Sequence, residues 1–153
     1  MFDKAKEHLE KYNLENRIIV FSVSTATVYE AAQALQSTEG EIAKSLAFYI
    51  NEQPILVIVA GDKKIDNAKF KQMFNVKAKM IPFDDVEKVI GHAAGGVCPF
   101  GVNENVTVYL DESLKEYEYV YPACGSHNSA VKLTINDLEK ASNYISWVNV
   151  CKQ

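Results

Sequence analysis

The sequence predicts an α+β protein built around a mixed, mostly antiparallel β-sheet with helices packed around it. Apolar residues at helical spacing alternate with short apolar strands along 153 residues, without repeats or low-complexity linkers. A short polar stretch at residues 51–54 joins two consecutive strands, which is typical of an antiparallel hairpin. The length fits one domain with one core, so we treat residues 1–153 as a single domain.

The N-terminal part is predicted to run helix, strand, helix. Apolar residues recur at helical spacing at Phe2, Ala5, Leu9 and Tyr12. The apolar run Ile18 to Val23 predicts a strand. Thr27 and Glu30 form a capping box, in which each residue can satisfy a backbone N–H of the first helical turn. The helix that follows carries one apolar face, made of Val28, Ala31, Ala32 and Leu35.

Two strands and two helices are predicted next. Ile42 to Ile50 predicts a strand, and Ile55 to Ala60 predicts a central strand because it is apolar on both faces. Asp66 to Phe74 predicts a helix. A further helix carries its apolar residues at Phe83, Val86, Val89 and Ile90 and ends at Gly91.

The C-terminal part is predicted to hold three strands and one helix. The strands are Val106 to Leu110, Tyr119 to Ala123 and Ala130 to Leu133. Asn136 and Glu139 form a second possible capping box, which predicts a final helix that begins there. Its inward residues are predicted to be Leu138, Ala141 and Ile145.

Composition excludes several classes of protein. No apolar run approaches the length of a membrane span, so no membrane partner is expected. The three cysteines are odd in number and widely spaced, which favours a reducing compartment and a cytoplasmic location. No cysteine or histidine spacing indicates a zinc site, and we expect neither a metal nor a cofactor.

Charge is unevenly distributed along the chain. The net charge of −4 argues against a generic nucleic-acid binder, and no DNA partner is expected. Residues 62–80 nevertheless contain six lysines and two acids. This segment predicts either contact with part of a polyanion or an ordinary solvated helix face. The candidate contacts are Lys63, Lys64, Lys69 and Lys71.

The segment with the strongest chemical signal is Gly91-His-Ala-Ala-Gly-Gly-Val-Cys-Pro-Phe-Gly101, which contains four of the seven glycines. Glycine allows the backbone to approach a ligand closely, so several N–H groups could converge on one oxygen atom. Pro99 lacks an N–H and restricts the chain there. The alternative is a tight surface connection without a ligand.

Two polar features accompany this loop. Lys44 shares one face of its strand with Ile42, Leu46 and Phe48, where an ammonium group needs a partner or lines a site, unless it reaches solvent from the strand edge. Gly125-Ser-His-Asn-Ser129 is a polar turn that can present His127 and Asn128, or serve only as a turn. A serine hydrolase triad is not indicated, because the chain has no Gly-x-Ser-x-Gly elbow.

These segments together resemble the YbaK/ProX family of aminoacyl-tRNA deacylases, which is related to the editing domain inserted in bacterial prolyl-tRNA synthetases. The similarity runs from about residue 25 to residue 141. It rests on Thr27-Val-Tyr-Glu-Ala-Ala32, Ile42-Ala-Lys-Ser-Leu-Ala-Phe48, Val59-Ala-Gly-Asp62, Gly95-Gly-Val-Cys-Pro-Phe-Gly101, Leu110-Asp-Glu-Ser-Leu114 and Gly125-Ser-His-Asn128. The resemblance implies a curved or barrel-like sheet. It also implies hydrolysis of the ester in a mischarged aminoacyl-tRNA, most often one on proline tRNA, with prolyl-tRNA synthetase as a possible partner.

The resemblance also implies roles for individual residues. Lys44 matches the family's essential lysine, and the backbone of Gly95, Gly96, Val97 and Cys98 matches the segment that holds the aminoacyl carbonyl. The substrate-binding residues expected around them are Thr27, Ser45, Leu46, Phe48, Pro99, Phe100, Gly101, Gly125, His127 and Asn128. The attacking group would be water or a hydroxyl or thiol of the substrate.

Two other functions are compatible with the sequence. Cys98 could be a nucleophile with His92 or His127 as its base. Alternatively, the chain could be a non-catalytic module of the same fold that binds tRNA or a synthetase. The amino acid that would be removed is not encoded by any motif, with cysteine and alanine on proline tRNA as the leading candidates.

Overall fold

The computed structural model describes residues 1–153 and contains two sheets and five α-helices. The strands are β1 (Ile18–Val20), β2 (Ile42–Ile50), β3 (Gln53–Ala60), β4 (Thr107–Asp111), β5 (Tyr119–Pro122), β6 (Ser129–Val131), β7 (Leu133–Thr134) and β8 (Ser146–Val148). The helices are α1 (Phe2–Glu10), α2 (Val28–Leu35), α3 (Asn67–Phe74), α4 (Val86–Ile90) and α5 (Ile135–Ala141).

The larger sheet has the order β7-β5-β2-β3-β4-β8 and curls into a half-barrel, and the smaller sheet is the pair β1-β6. The predicted α+β class is confirmed. The sheet is mixed: β2 pairs antiparallel with β3, whereas β2–β5, β3–β4 and β4–β8 are parallel. No helix combines the length and the apolar character needed to cross a bilayer.

The β2–β3 hairpin forms the centre of the larger sheet. Its register runs from the pair Ile50–Gln53 to the pair Ala43–Ala60, and only Asn51 and Glu52 lie in the turn. Both turn residues have positive φ angles, 48° and 72°. A two-residue turn with positive φ at both positions matches the right-handed twist of the two strands. Seven of the eight residues of β3 are buried, as expected for a central strand.

The two faces of this hairpin contribute to two apolar clusters. Ala43 and Ala47 belong to the main cluster, which also contains buried residues of α1, α4 and α5. Phe48 points to the opposite face, where it packs against Phe70 of α3 with ring centroids 4.9 Å apart. This alternation follows from the two-residue period of a strand, so consecutive residues of β2 lie on opposite sides of the sheet.

The outer edge of β2 is incompletely paired. β5 pairs with it only at Ile42 and Ala43. Residues 79–81 pair with its other end, where Tyr49 N–H donates to Lys79 O and Ile81 N–H donates to Ala47 O, both at 3.0 Å. Between these two partners the edge is open at Ser45.

Several predicted elements are confirmed with small changes of boundary. Helices α1, α2, α3 and α4, strands β2 to β5 and the hairpin occur where the sequence predicts them. The capping box of Thr27 and Glu30 is formed. Strand β1 ends at Val20 rather than Val23, and residues 130–133 divide between β6 and β7, which belong to different sheets.

The predicted start and end of the last helix are wrong. The N-cap is Thr134, whose hydroxyl accepts from Asp137 N–H at 3.1 Å, and not Asn136. Glu139 forms no box with Asn136, and its carboxylate accepts instead from Trp147 Nε1 at 2.9 Å. The helix ends at Ala141, and Ile145 is 66% exposed just before the unpredicted strand β8.

Replacement of the observed cap distinguishes the two helix starts. Thr134→Ala removes the hydroxyl that satisfies the Asp137 N–H, so we expect it to lower the free energy of unfolding by about 1 kcal/mol. Asn136→Ala is the matched control, because Asn136 is exposed in the first turn of α5. Urea denaturation measures both variants. A larger loss for Asn136→Ala would contradict the observed cap.

Candidate active site

A small cavity opens beside the unpaired edge of β2. Its volume is about 100 Å³. We call it the central cavity, and its wall consists of Thr25, Ala26, Thr27, Val28, Ala31, Ile42, Ala43, Lys44, Ser45, Ala94, Gly95, Val97, Tyr121, Ala123, Ser129 and Ala130. Most of these side chains are small or apolar, and the polar ones are hydroxyls and one lysine. Such a wall suits a small ligand held by a few polar contacts.

The glycine-rich loop enters this wall through a single 3₁₀ turn at Ala94–Gly96. Gly96 packs directly against the turn between β5 and β6, and Gly96 O accepts from Gly125 N–H at 3.0 Å. A Cβ at Gly96 would lie 2.4 Å from Ser126 N and 2.7 Å from Gly125 C. Only glycine allows the two backbones to approach this closely.

The backbone N–H groups of the loop differ in their hydrogen bonds. Gly96 N–H donates to Ala93 O at 2.9 Å. The N–H groups of Gly95, Val97 and Cys98 donate to no acceptor within the protein. Gly95 and Val97 also belong to the wall of the central cavity. Two unpaired donors therefore lie at the cavity, which is the arrangement required to hold an oxygen atom of a ligand.

The remaining part of the loop lies behind the cavity. Cys98 and Phe100 are fully buried in the main cluster, Pro99 is also buried, and Gly101 packs against the Lys4 carbonyl of α1. None of these four residues lines the central cavity. The structure thus separates the loop into a cavity-lining part and a part that anchors it in the core.

The Cys98 thiol contacts His92, as the thiol hypothesis requires, but both side chains are inaccessible. Cys98 Sγ lies 3.6 Å from His92 Nε2, and both residues have 0% exposed surface. Burial raises the pKa of the Cys98 thiol far above its usual value. Burial also lowers the pKa of His92, whose Nε2 is 2.6 Å from Phe100 O. A buried neutral thiol is a poor nucleophile, which argues against this hypothesis.

Lys44 lies where the central cavity meets a second, more open depression. We call the latter the polar pocket, and it is lined by Thr38, Glu39, Gly40, Lys44, Gly61, Asp62, Lys63, Lys64 and Tyr117. Lys44 Nζ donates to Lys63 O at 2.5 Å and to Gly61 O at 3.3 Å. Burial lowers the pKa of this ammonium, and the nearby carboxylate of Asp62 opposes that effect. Two carbonyls thus hold the ammonium in place at the edge of the polar pocket.

Ser45 carries several unsatisfied polar groups at the open edge of β2. In the antiparallel ladder with β3, the N–H and C=O groups of odd-numbered β2 residues point away from β3. At Ser45 neither group has a partner in the protein. Its hydroxyl oxygen is also buried without a hydrogen bond. Buried polar groups rarely remain unpaired, so this residue indicates a ligand-binding position.

The turn between β5 and β6 combines a structural residue with an exposed one. Asn128 Nδ2 donates to Phe21 O at 3.1 Å, and its Oδ1 accepts from Ser126 Oγ at 3.0 Å. His127 is exposed, and its carbonyl accepts from Thr25 N–H at 2.6 Å. A Cβ at Gly95 would lie 3.4 Å from His127 Cβ, so His127 lies at the rim of the cavity, directly beside the glycine-rich loop.

The structure brings together five of the predicted site residues in the central cavity. These are Thr27, Lys44, Ser45, Gly95 and Val97. Leu46 instead lines a neighbouring apolar groove, Phe48 is buried in the second cluster, and Gly125 supports Gly96. Wall residues that were not predicted include Thr25, Ala94 and Ser129. All three adjoin the motifs already identified, but small residues carry no chemical signal of their own.

The predicted lysine contacts occupy different environments. Lys63 and Lys64 line the polar pocket beside Lys44. Lys69 Nζ donates to Cys151 O at 2.8 Å, so it ties α3 to the C-terminal segment. Lys71 is exposed on α3. No cluster of three or more His, Cys, Asp or Glu side chains is positioned to hold a metal ion.

A family model described as an aminoacyl-tRNA editing domain matches residues 23–141, which include every wall residue of the central cavity. The chain belongs to the aminoacyl-tRNA editing domain family. The match spans the capping box of α2, the strand that carries Lys44, the glycine-rich loop and the turn at Gly125.

Individual members of the editing domain family differ in their size. The uncharacterized protein YwhH of Bacillus subtilis is 45% identical over 148 residues, which are 96% of this chain and 94% of that protein. A candidate Cys-tRNA(Pro)/Cys-tRNA(Cys) deacylase of Enterococcus faecalis, EbsC, is 27% identical over 67% of this chain and 63% of its own. The proline–tRNA ligase of a Geobacillus strain is 29% identical over 82% of this chain, which spans only 21% of that enzyme.

A solved structure extends the similarity to the whole editing domain. The crystal structure of a candidate trans-editing enzyme for prolyl-tRNA synthetase superimposes with a TM-score of 0.88 at 27% sequence identity. The superposition covers 99% of this chain and 97% of the other. The half-barrel with its β1–β6 pair is therefore shared over essentially its full length.

The contact between the loop and the turn is tested by comparing two adjacent glycines. Gly96→Ala inserts a methyl group between two backbones, so we expect it to lower the free energy of unfolding by about 1–3 kcal/mol. Gly95→Ala is the matched control, because its Cβ would meet only Ala26 Cβ at 3.2 Å and His127 Cβ at 3.4 Å. Thermal and urea denaturation should give a clearly smaller loss for Gly95→Ala. Equal losses would contradict the packing described here.

Proposed function

We propose that this editing domain is a trans-acting hydrolase that removes a small amino acid from mischarged tRNA in the cytoplasm. The leading substrates are Cys-tRNA(Pro) and Ala-tRNA(Pro). The observation that carries this proposal is the pair of unpaired N–H groups of Gly95 and Val97 in the wall of a cavity that also contains Lys44 and Ser45. The family and its tRNA-editing relatives support the same chemistry.

The size of the central cavity limits the amino acid. Its volume of about 100 Å³ corresponds to roughly three water molecules in the liquid. A side chain such as that of alanine, serine or cysteine would fit beside Ala31, Ala43 and Ala130, whereas an aromatic side chain would not. A synthetase pocket separates two amino acids that differ by one methylene by only ~1–3 kcal/mol of binding free energy. A second, hydrolytic site that admits only small amino acids adds the selectivity that this pocket lacks.

The glycine-rich loop would stabilise charge on the ester carbonyl. Attack on the carbonyl carbon gives a tetrahedral intermediate with a negative oxygen, and the N–H groups of Gly95 and Val97 can donate to it. Removal of one such donor typically raises the barrier by about 3–4 kcal/mol. Gly96 N–H already donates to Ala93 O, so Gly96 would act by shaping the loop.

Lys44 would act as a fixed positive charge near the reacting ester. Its ammonium donates to Gly61 O and Lys63 O and therefore faces the polar pocket, where Lys63 and Lys64 add positive charge. We propose that this pocket receives the phosphate of the terminal nucleotide. A protonated lysine is a donor and not a general base, so its role is positioning and electrostatic stabilisation.

The hydrolysis requires no nucleophile from the protein. Water, or a hydroxyl or thiol of the substrate, adds to the carbonyl carbon. The intermediate then expels the ribose oxygen, which takes up a proton and leaves deacylated tRNA. When the side-chain thiol or hydroxyl of the amino acid attacks, the ribose oxygen leaves and a cyclic thioester or ester forms, which water then hydrolyses to the free amino acid. The rim residue His127 and the hydroxyls of Thr27 and Ser45 would bind the aminoacyl group.

The related proline–tRNA ligases also suggest a partner. This chain resembles about a fifth of such an enzyme, so it would supply in trans a domain that the ligase carries in cis. Transient docking on prolyl-tRNA synthetase would deliver the mischarged tRNA directly. The alternative of a non-catalytic binding module predicts the same docking without hydrolysis.

Deacylation assays test the proposed activity. Proline tRNA charged separately with cysteine, alanine, serine and proline is incubated with the protein, and we expect rapid release of one small noncognate residue. Lys44→Met keeps the apolar stem but removes the charge, so it should lower the rate by roughly 10²–10³-fold. Lys140→Ala, at an exposed position of α5, is the control and should retain full activity.

The outcomes of these assays separate enzyme from binding module. Binding of tRNA without release of any amino acid would favour the non-catalytic module. Release that survives Lys44→Met, with the fold verified by circular dichroism, would reject the electrostatic role of the lysine.

The thiol hypothesis has its own variant. Cys98→Ala leaves the backbone of the loop intact, so deacylation should stay within about two-fold of wild type if the buried thiol takes no part. The rate is measured on the substrate identified above. Complete loss of activity in a variant with an unchanged unfolding temperature would instead establish Cys98 as the nucleophile.

A further inference from the structure

An apolar groove adjoins the central cavity at the other end of the open edge of β2. We define it by its lining residues, which are Ser45, Leu46, Ala47, Met80, Ile81, Pro82, Phe83, Val86, Ala94 and Val97, and its volume is about 430 Å³. Phe83 is 78% exposed and Met80 58% exposed, whereas Ile81 and Val86 are buried and form the floor. Large apolar side chains this exposed indicate a surface that binds something.

The groove is continuous with the site already described. Ser45, Ala94 and Val97 line both the groove and the central cavity. A ligand whose carbonyl is held by the loop N–H groups would therefore extend directly into the groove. In an aminoacyl ester of RNA, only the ribose separates the acyl carbonyl from the terminal base.

Charge distinguishes the groove from the polar pocket. Asp84 and Asp85 follow Phe83 directly and are exposed, and no charged side chain lines the groove. These carboxylates would repel a phosphate. Lys44, Lys63 and Lys64 lie instead in the polar pocket. These three lysines outnumber the two acids of that pocket, Glu39 and Asp62, so it remains the more positive of the two sites. The groove therefore suits an uncharged planar group, and the polar pocket suits an anion better than the groove does.

The exposed side chains of the groove are held by backbone pairing. Met80 forms an isolated antiparallel bridge with Phe48, and the flanking hydrogen bonds of Lys79 and Ile81 to β2 fix its position. Phe83 begins a 3₁₀ turn that leads into α4. An exposed aromatic ring and a polarizable thioether form a suitable surface for stacking of a nucleobase.

We propose that the apolar groove binds the adenine base of the terminal adenosine, with Phe83 and Met80 in contact with the base. This inference rests on the proposed function, since it assumes an aminoacyl ester in the central cavity. Three parts of one substrate would then meet at two adjacent residues of β2. The acyl group enters the central cavity, the phosphate enters the polar pocket and the base lies in the groove.

Binding of a non-hydrolysable analogue tests this assignment without relying on catalysis. The probe is 3′-deoxy-3′-(alanylamino)adenosine, compared with the same compound carrying uracil, and titration calorimetry measures both. For the adenosine probe, Phe83→Ala should weaken binding by about 10-fold or more, because loss of one base-stacking contact commonly has that effect. Phe83→Trp should restore it. Met73→Ala is the control, at an exposed position of α3 outside the groove.

The possible results separate this inference from the proposed function. Equal binding of the two probes, no change with Phe83→Ala, or no binding of the adenosine probe at millimolar concentration would overturn the adenine site. If mischarged tRNA is hydrolysed and Phe83→Ala leaves KM unchanged, the groove assignment falls while the function stands. If no tRNA is hydrolysed but probe binding depends on Phe83 and on adenine, the groove assignment stands and the hydrolase proposal falls.

Discussion

Backbone hydrogen bonds pair β2 with β3 from Ala43 to Ile50, whereas the opposite edge of β2 is paired only near its two ends. An unpaired edge inside a sheet is unfavourable unless another group satisfies it. Here the gap falls at Ser45, and the glycine-rich loop and the β5–β6 turn close around it without pairing with it. The central cavity is therefore a consequence of strand pairing that stops short, and the side chains around it only refine its shape.

A second contact holds the loop against this gap. The Gly96 backbone lies so close to Gly125 and Ser126 that the two segments behave as one wall. Because Gly96 N–H and O both have partners, the neighbouring N–H groups of Gly95 and Val97 are held in fixed directions without partners of their own. Cys98 and Phe100 anchor the same loop in the core. Preorganised donors are more effective in catalysis than mobile ones, since no free energy is needed to orient them during the reaction.

Local patterns predicted much of this architecture, and long-range pairing accounts for what they missed. The capping box at Thr27 and the apolar strand β2 depend on residues that are near neighbours in the sequence. Both predictions are confirmed. Thr134–Asp137 and Asn136–Glu139 both have the spacing of a capping box; the first one forms, and the Glu139 carboxylate accepts instead from Trp147 of β8, a contact that no local pattern predicts. Likewise, the sequence shows that Lys44 lies on an apolar face of its strand and needs a partner. It does not show which partner, because the two carbonyls that accept from Lys44 lie 17 and 19 residues away. The open edge at Ser45 cannot be predicted from the sequence without knowing which strands pair.

The tight turn of the β2–β3 hairpin has a consequence at a distance. Lys44 and Ser45 are consecutive residues of β2 and point to opposite faces of the sheet, so each meets its own surroundings only on its own face. A shift of one residue in the pairing with β3 would exchange their faces. The two-residue turn at Asn51 and Glu52 sets that register, although it lies about 23 Å along the strand from Lys44. During evolution, insertions or deletions in this turn should therefore be as harmful as changes within the cavity itself, even though the turn touches no substrate.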